Sequence, residues 1–282
     1  MSSLDLNTFS HPVWTIGSTN QLVAELVFGA AALGALVYCI SVARREGKPW
    51  PLFVFCGAAL TVVYEPFNNL LGHCGYPTDQ HTLIDFLGRQ IPLYIGFVYI
   101  FYFAAPVTWL MQRFEAGITK RRLVRYYAVG VLLCAAFEPL FCNGAVGLKW
   151  WHYYGDNQPL AFTGLPMWWW FVNPMCVFAN AYVFHMLRKH VFTREIQTAM
   201  FVPLGVLCVF AWHAAAGIPV YIAIIGTEGK TLTTLATFAS LGIVAMLMWI
   251  IAQPVTVEER ATALAREHPR PVPARQPEPL GV

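Results

Sequence analysis

The chain reads as an all-α integral membrane protein: a polytopic bundle of seven transmembrane helices, N-terminus outside and C-terminus in the cytoplasm. Three observations predict this. Hydrophobic residues make up 57% of the 282 positions and charged residues only 12%, against roughly 25% charged in an average soluble domain. The apolar residues fall into seven blocks, each near the roughly 20 residues that cross a bilayer. Basic residues crowd alternate loops, and that Lys/Arg bias sets orientation.

The elements follow in order. Residues 1–19 have no basic n-region, so a cleavable signal peptide is not expected and the segment is read as extracytoplasmic. The transmembrane domain spans 20–253, with helices at about 21–43, 50–70, 91–112, 123–144, 165–187, 198–222 and 232–253. Arg44, Arg45 and Lys48 follow the first helix; Arg113, Lys120, Arg121, Arg122 and Arg125 surround the turn after the third. Arg188, Lys189 and Arg194 follow the fifth, whereas the alternate loops carry Arg89, Lys149 and Lys230 alone. The tail, 254–282, opens with a stretch able to hold a helical turn or more and ends in "PRPVPARQPEPLGV", too proline-rich to fold, and is read as a disordered cytoplasmic segment. The net charge of +3 expresses this inward bias, so no nucleic-acid partner is implied. The setting is a cell membrane, read as the bacterial cytoplasmic membrane, with lipid as the surrounding partner; the sequence leaves the oligomeric state open.

Given these directions, a rise of about 1.5 Å per residue assigns each polar residue a depth. Glu65 in "VVYEPFNN" and Glu138 in "CAAFEPLF" stand equally far along outward-running helices, and each is followed by proline. His213 on the sixth helix and Asn173 on the fifth reach the same layer, with Glu25 slightly above. An ionisable group at the bilayer centre costs at least about 2.5 kcal/mol, so such groups usually face the bundle interior and mark a site or an ion path. The bland alternative is that each glutamate caps a neighbouring helix or pairs with His213. Pro66 and Pro139 each free a carbonyl four residues earlier; a kink opening a polar cavity beside each glutamate is the expected remedy.

The outer loops are rich in aromatics, among them Trp150, Trp151, Tyr153 and Tyr154, with Asp156 close by and Trp168, Trp169 and Trp170 beyond. Either an interfacial belt or a pocket wall accounts for them. His73, Asp79, His81 and Asp85 follow no zinc spacing and are read as solvated loop polarity; no metal site is expected. No disulfide is expected, Cys74 and Cys142 included. No P-loop, dinucleotide fingerprint or G-x-S-x-G appears, so no cofactor is implied.

Two carboxyls in a dry aromatic chamber suit acid–base chemistry on a lipophilic small molecule, one group donating a proton and the other accepting one. The residues between Val62 and Arg188 also resemble the AveC-like spirocyclase family. The likeness is carried by acid–Pro–x–x–Asn at Glu65–Asn69, by "RQIPLYIGFVY", by "AAFEPLFCNGAVG", by "KWWHYYG" and by "TGLPMWWW". Members often have aspartate at the position of Glu65 and a glutamate after the fifth-helix proline, where tryptophans and Asn173 stand here. A looser similarity extends to bacterial carotenoid hydratases and to fungal integral-membrane terpene cyclases. The resemblance implies a cyclase, isomerase or hydratase acting on an isoprenoid or polyketide, as in terpene cyclisation or spiroketal formation. Glu65 and Glu138 would be catalytic, with Asn69, His213, Asn173, Trp151, Tyr154, Trp169, Glu25 and Asp156 as substrate-binding candidates. A proton-coupled transporter, or a ligand-binding membrane protein without catalysis, is the alternative.

Overall fold

The computed structural model describes residues 12–142, 148–162, 164–226 and 229–267, with backbone alone at 162 and 258–267. Its frame is helical. In chain order it holds α1 (Gly17–Glu46), α2 (Trp50–Leu60), α3 (Glu65–Gly72), α4 (Leu93–Glu115), α5 (Lys120–Phe141), α6 (Met167–His190), α7 (Phe201–Gly226) and α8 (Lys230–Glu267). A 3-10 turn, Thr61–Tyr64, joins α2 to α3 in one rod, and a second, Glu195–Met200, leads into α7. Six units are long and apolar enough to cross a membrane: α1, the α2–α3 rod, α4, α5, α7 with its lead-in, and α8 through Val257.

Helix α6 is the exception, and its place explains why. It packs against α4, α5, α7 and α8 and buries residues all round, including Asn180 and His185. A helix walled by protein need not be as oily as one facing lipid, and its polar groups find partners inside the bundle. Helix α5 is the opposite case. It buries only Leu123, Cys134 and Pro139 and turns Val124, Val129, Leu132 and Phe137 outward.

Where α2 crosses α7 the backbones nearly touch: a Cβ on Gly57 would lie 2.6 Å from the Phe201 carbonyl oxygen, and Gly205 faces it. Such small-residue crossings let membrane helices pack without side chains between them. The crossing anchors the rod that carries Glu65.

The helical expectation needs two amendments. Three two-stranded antiparallel ribbons occupy the loops: β1 (Cys74–Gly75) with β4 (His152–Tyr153), β2 (Thr82–Phe86) with β3 (Arg89–Pro92), and β5 (Ala161–Phe162) with β6 (Leu165–Pro166). The β2–β3 turn places both Leu87 and Gly88 at positive φ, 55° and 66°, the backbone of a tight hairpin. Arg89–Pro92 is therefore strand, and the third crossing starts at Leu93 rather than near residue 91. The second amendment concerns the tail. Helix α8 runs through Pro254 to Glu267, because "TVEERATALARE" consists largely of good helix formers, so 254 is not where helix gives way to disorder. The proline-rich residues 268–282 and most of the N-terminal segment, 1–11, lie outside the described residues.

Candidate active site

The rod α2–α3 determines how Glu65 is presented. Pro66 has no N–H to offer the Val62 carbonyl, and the backbone answers by tightening: the Glu65 N–H donates to Val62 instead, closing the 3-10 turn. The Thr61 hydroxyl donates to the Gly57 carbonyl at 2.8 Å, using another local acceptor. The expected kink is thus a tightened turn satisfied within its own helix.

Glu65 is buried and is the acceptor for four donors. The Asn69 amide donates to Oε1 at 2.7 Å and the Asn68 amide to Oε2 at 3.4 Å. The Tyr76 hydroxyl donates to Oε1 and the Tyr99 hydroxyl to Oε2, both through short bonds. Asn68 is itself oriented, since Tyr221 donates to its Oδ1 at 3.0 Å and Tyr64 lies 3.2 Å from the Tyr221 hydroxyl. Four donors match the roughly four lone-pair sites of an ionised carboxylate.

Glu138 sits differently. Its helix runs straight through Pro139, and the Cys142 N–H closes back on the Glu138 carbonyl at 3.1 Å. Its carboxyl receives the Asn173 amide at 2.7 Å, and Cys134 stands one turn earlier on the same face. It is less buried than Glu65.

Both carboxyls line one cavity of about 550 Å³, within the usual range for small-molecule sites. Asn68, Asn173 and His213 join them, and the rest of the wall is largely aromatic or aliphatic: Phe28, Tyr99, Phe103, Phe141, Trp151 and Trp169 among others. The imidazole of His213 lies between Tyr64 and Trp169, ring centroids 5.3 and 5.4 Å away, and its Nδ1 is buried without a hydrogen-bond partner. Val27 on α1 and Leu133 and Phe137 on α5 also line the cavity while about half exposed, at 48%, 51% and 54%. The chamber therefore has a lateral mouth, on the apolar flank.

A second, polar hollow of about 270 Å³ lies beyond Glu65, lined by Asn69, Tyr76, Asp85 and Arg89 among others. Tyr76 lines both spaces. Tyr76 thus stands between the polar hollow and the aromatic chamber, with Asn69 on the hollow side, and both donate to Glu65.

Of the residues singled out by sequence, Glu65, Glu138, Asn173, His213, Trp151 and Trp169 meet around the cavity. Asn69 stands behind Glu65. Glu25 lies off the cavity, where its carboxylate takes the Gln21 amide at 3.0 Å and meets His81 Nδ1 at 2.8 Å, fastening the outer loop to α1. Asp156 is exposed. Tyr154 stacks on His73, centroids 5.2 Å apart and nearly parallel. Burial, with the Arg89 charge nearby, pulls the His73 imidazole down to about 4; burial and Lys149 hold His152 down to about 4 as well. Asp79 caps α1, receiving the N–H groups of Ile16 and Gly17 at 3.1 and 2.7 Å. Of the outer aromatics, Trp151, Tyr153 and Trp169 wall the chamber, while Trp150 packs in the core against Phe28 and Phe141, a place that neither alternative named.

Sequence reasoning missed Tyr76, Tyr99 and Asn68. Tyr99 and Tyr102 carry the signal that was available, since a phenol within a membrane helix needs a partner for its hydroxyl. Tyr76 gave no such signal, because its place depends on how the outer loop folds back. Cys74 and Cys142 are both free thiols. Among the described residues no group of three His, Cys, Asp or Glu side chains could hold a metal ion.

Compared with protein-family models, curated proteins and solved structures, the chain matches none.

Proposed function

We propose that this protein is a membrane cyclase or isomerase/hydratase that rearranges a lipophilic isoprenoid or polyketide by acid–base chemistry between Glu138 and Glu65. The observation that carries the reading is the placing of two carboxyls, with unlike hydrogen-bond environments, on the wall of one aromatic chamber. Glu138, with the Asn173 amide as partner, is the acid: it delivers its proton to an alkene, epoxide or hydroxyl of the substrate. The electron-deficient carbon that results lies among ring faces, whose quadrupoles attract positive charge, and away from water that would quench it. An internal π bond or oxygen closes the ring, or an adjacent C–H gives up its proton, and Glu65 as carboxylate takes the proton released. Glu65 then loses it by way of the Tyr76 hydroxyl to the polar hollow, and water entering the emptied cavity reprotonates Glu138, so no net proton is consumed. His213 positions the chamber wall beside Tyr64 and Trp169.

The likeness to AveC-like spirocyclases supports the same class of reaction, through Glu65–Asn69 and Glu138. In this reading the chain crosses the cytoplasmic membrane seven times, α6 included, with the N-terminus outside. The basic loops at Arg44–Lys48, Arg113–Arg125 and Arg188–Arg194 then lie inside. A carrier would need a polar route past the carboxyls toward the far end. The space found there, between Tyr102 and Phe178, is apolar.

The test is product analysis in a host that supplies linear isoprenoids and polyketides, comparing the parent chain with Glu65→Gln and Glu138→Gln at matched membrane levels. General acid–base catalysis is worth about 10²–10⁴-fold, so each variant should lose product by that order. Undiminished product from both variants would sink the catalytic reading. Glutamate-dependent movement of an unchanged tracer across vesicles, with no product, would replace it by transport.

A further inference from the structure

We infer that the crease between α4, α5 and α6 is a tail subsite, so that the substrate of the reaction proposed above is an extended chain rather than a compact ring system. The inference takes the word substrate from that reading; the binding it describes needs no catalysis.

A separate cavity of about 230 Å³ lies there, toward the C-terminal end of α4. It shares Tyr102, Pro106, Leu133 and Cys134 with the carboxyl chamber, so the two spaces lie side by side across a common wall. The Tyr102 hydroxyl and the Cys134 thiol, in contact at 3.5 Å, form a closed neck between them, a weak contact that a chain entering the lower space has to part. Below the neck the walls are Leu110, Val129, Val177 and Phe178, with no charged group. Gly130 closes one side, lying so near Pro174 that a Cβ there would come within 2.9 Å of the proline Cβ. The floor is the Trp109–Tyr126 pair, edge to face at 4.7 Å, with the Arg113 guanidinium 5.2 Å above the Trp109 ring.

From Tyr99, beside Glu65, to Trp109 is about 15 Å along α4 at 1.5 Å per residue. That is room for a linear chain of sesquiterpene length, with its reactive end between the glutamates and its tail stopped at Trp109. An ordinary phospholipid does not fit this description. Its charged headgroup would have to enter an apolar chamber beside two carboxyls, at a large desolvation cost. A chain ending in an alkene, epoxide or hydroxyl carries no such cost, and the lateral mouth at Val27 and Phe137 admits it from the bilayer.

The experiment uses the full chain in phosphatidylcholine nanodiscs and a farnesol analogue with a diazirine at the end remote from the hydroxyl. Photolysis should place adducts on 102–110 and 126–134. Val129→Trp fills the subsite from a half-exposed position and should cut that labelling by about tenfold, the cost of overpacking. A short analogue, geraniol with the same group, should label the upper chamber of this variant as before, which shows that it is folded. Adducts spread evenly over outward-facing positions such as Leu22 and Leu207 would overturn the proposal. So would equal labelling of the subsite by a phosphatidylcholine carrying the diazirine. Labelling that survives Glu65→Gln and Glu138→Gln while product is lost separates this subsite from the catalytic reading; Glu-dependent product without subsite labelling refutes the subsite alone.

Discussion

The same dipeptide, glutamate–proline, occurs at 65–66 and 138–139, and the two copies end in different structures. At Glu65 the helix tightens into a 3-10 turn, the carboxyl is buried, and four donors converge on it from α3, α4 and the outer loop. At Glu138 the helix continues, its outer face is open, and the partner is one amide from α6. The difference lies in the neighbours. The α2–α3 rod is pinned by α7 at Gly57–Gly205 and overlaid by the loop bearing Tyr76, so its polar groups can be matched from several sides. Helix α5 leans on α6 and faces outward elsewhere, so its glutamate meets little beyond the cavity. A dipeptide proposes a polar group in the membrane; the packing around it decides whether that group is saturated with donors or left exposed to a ligand.

The comparison breaks most readily through stability. Glu65→Leu strands the hydroxyls of Tyr76 and Tyr99 and the amides of Asn68 and Asn69. At about 1–3 kcal/mol for each buried group left unpaired, and with partial rearrangement, the loss should be roughly 3–6 kcal/mol. Glu138→Leu strands the Asn173 amide and a weak thiol contact from Cys134, and should cost about 1–2 kcal/mol by the same rule. Thermal unfolding of the two variants in one detergent measures the difference. Equal destabilisation would mean that the two sites are not the unlike pair described.

Tyr99→Phe sharpens the comparison on the functional side. It removes one donor from Glu65 and keeps the ring in the cavity wall. A hydrogen bond to a charged group is worth about 1.5–3 kcal/mol, so turnover should fall by about 10–100-fold if Glu65 works as a carboxylate. The check is turnover at saturating substrate, beside Tyr38→Phe as a control phenol that lines neither cavity and meets Gln112 instead. The control should stay within about threefold of the parent, since its hydroxyl is remote from both glutamates.

The histidine at the end of α3 gives a pH test of the same arm. His73 holds a left-handed φ of 48° at the helix C-terminus and its imidazole is pulled down to about 4, below the usual value near 6.5. Above pH 6.5 it is neutral in folded and unfolded chains alike, and its favourable packing is intact. Between 6.5 and about 4 the unfolded chain binds a proton that the folded one resists, so stability falls as pH falls. Melting temperature should therefore drop from pH 7 to pH 5. His73→Asn, which tolerates the left-handed backbone, should flatten that slope; an unchanged slope would show that other groups set it.

Much of the frame was legible because it rests on one strong signal. A bilayer-length apolar block shows in composition, and the depth of Glu65, Glu138, Asn173 and His213 follows from counting residues along helices. What was hidden depends on contacts between distant segments. Tyr76 reaches Glu65 only after the outer loop folds back, and Glu25 leaves the cavity because His81 in the loop meets it. The central place of α6 was hidden for the same reason. The sequence shows Asn180 and His185, but only packing on four sides explains how an interior helix accommodates them. The turn at Thr61–Tyr64 lay within reach, since Pro66 removes a donor; what could not be read was that Glu65 itself would supply the replacement.

The smallest expected effect concerns the two prolines. Pro66→Ala restores an N–H that can bond the Val62 carbonyl, now held by Glu65, so the 3-10 turn is free to relax toward α-helix. Each residue then turns by about 100° instead of about 120°, and over the four residues of the turn Glu65 would swing by up to about 80°. Tyr76 and Tyr99 oppose that swing, so the net change in stability should stay within about 1 kcal/mol. Hydrogen exchange should nonetheless slow at residue 62–66 amides as α-type bonds form, and turnover should fall as the carboxylate leaves its donors. Pro139→Ala adds an N–H that meets the Ala135 carbonyl in a helix already α-shaped, so nothing needs to rotate. Its exchange pattern beyond the last turn of α5, and its turnover, should match the parent. If the two alanine variants changed exchange and turnover alike, the 3-10 turn would not be what aims Glu65, and the contrast between the two arms would reduce to their side-chain partners.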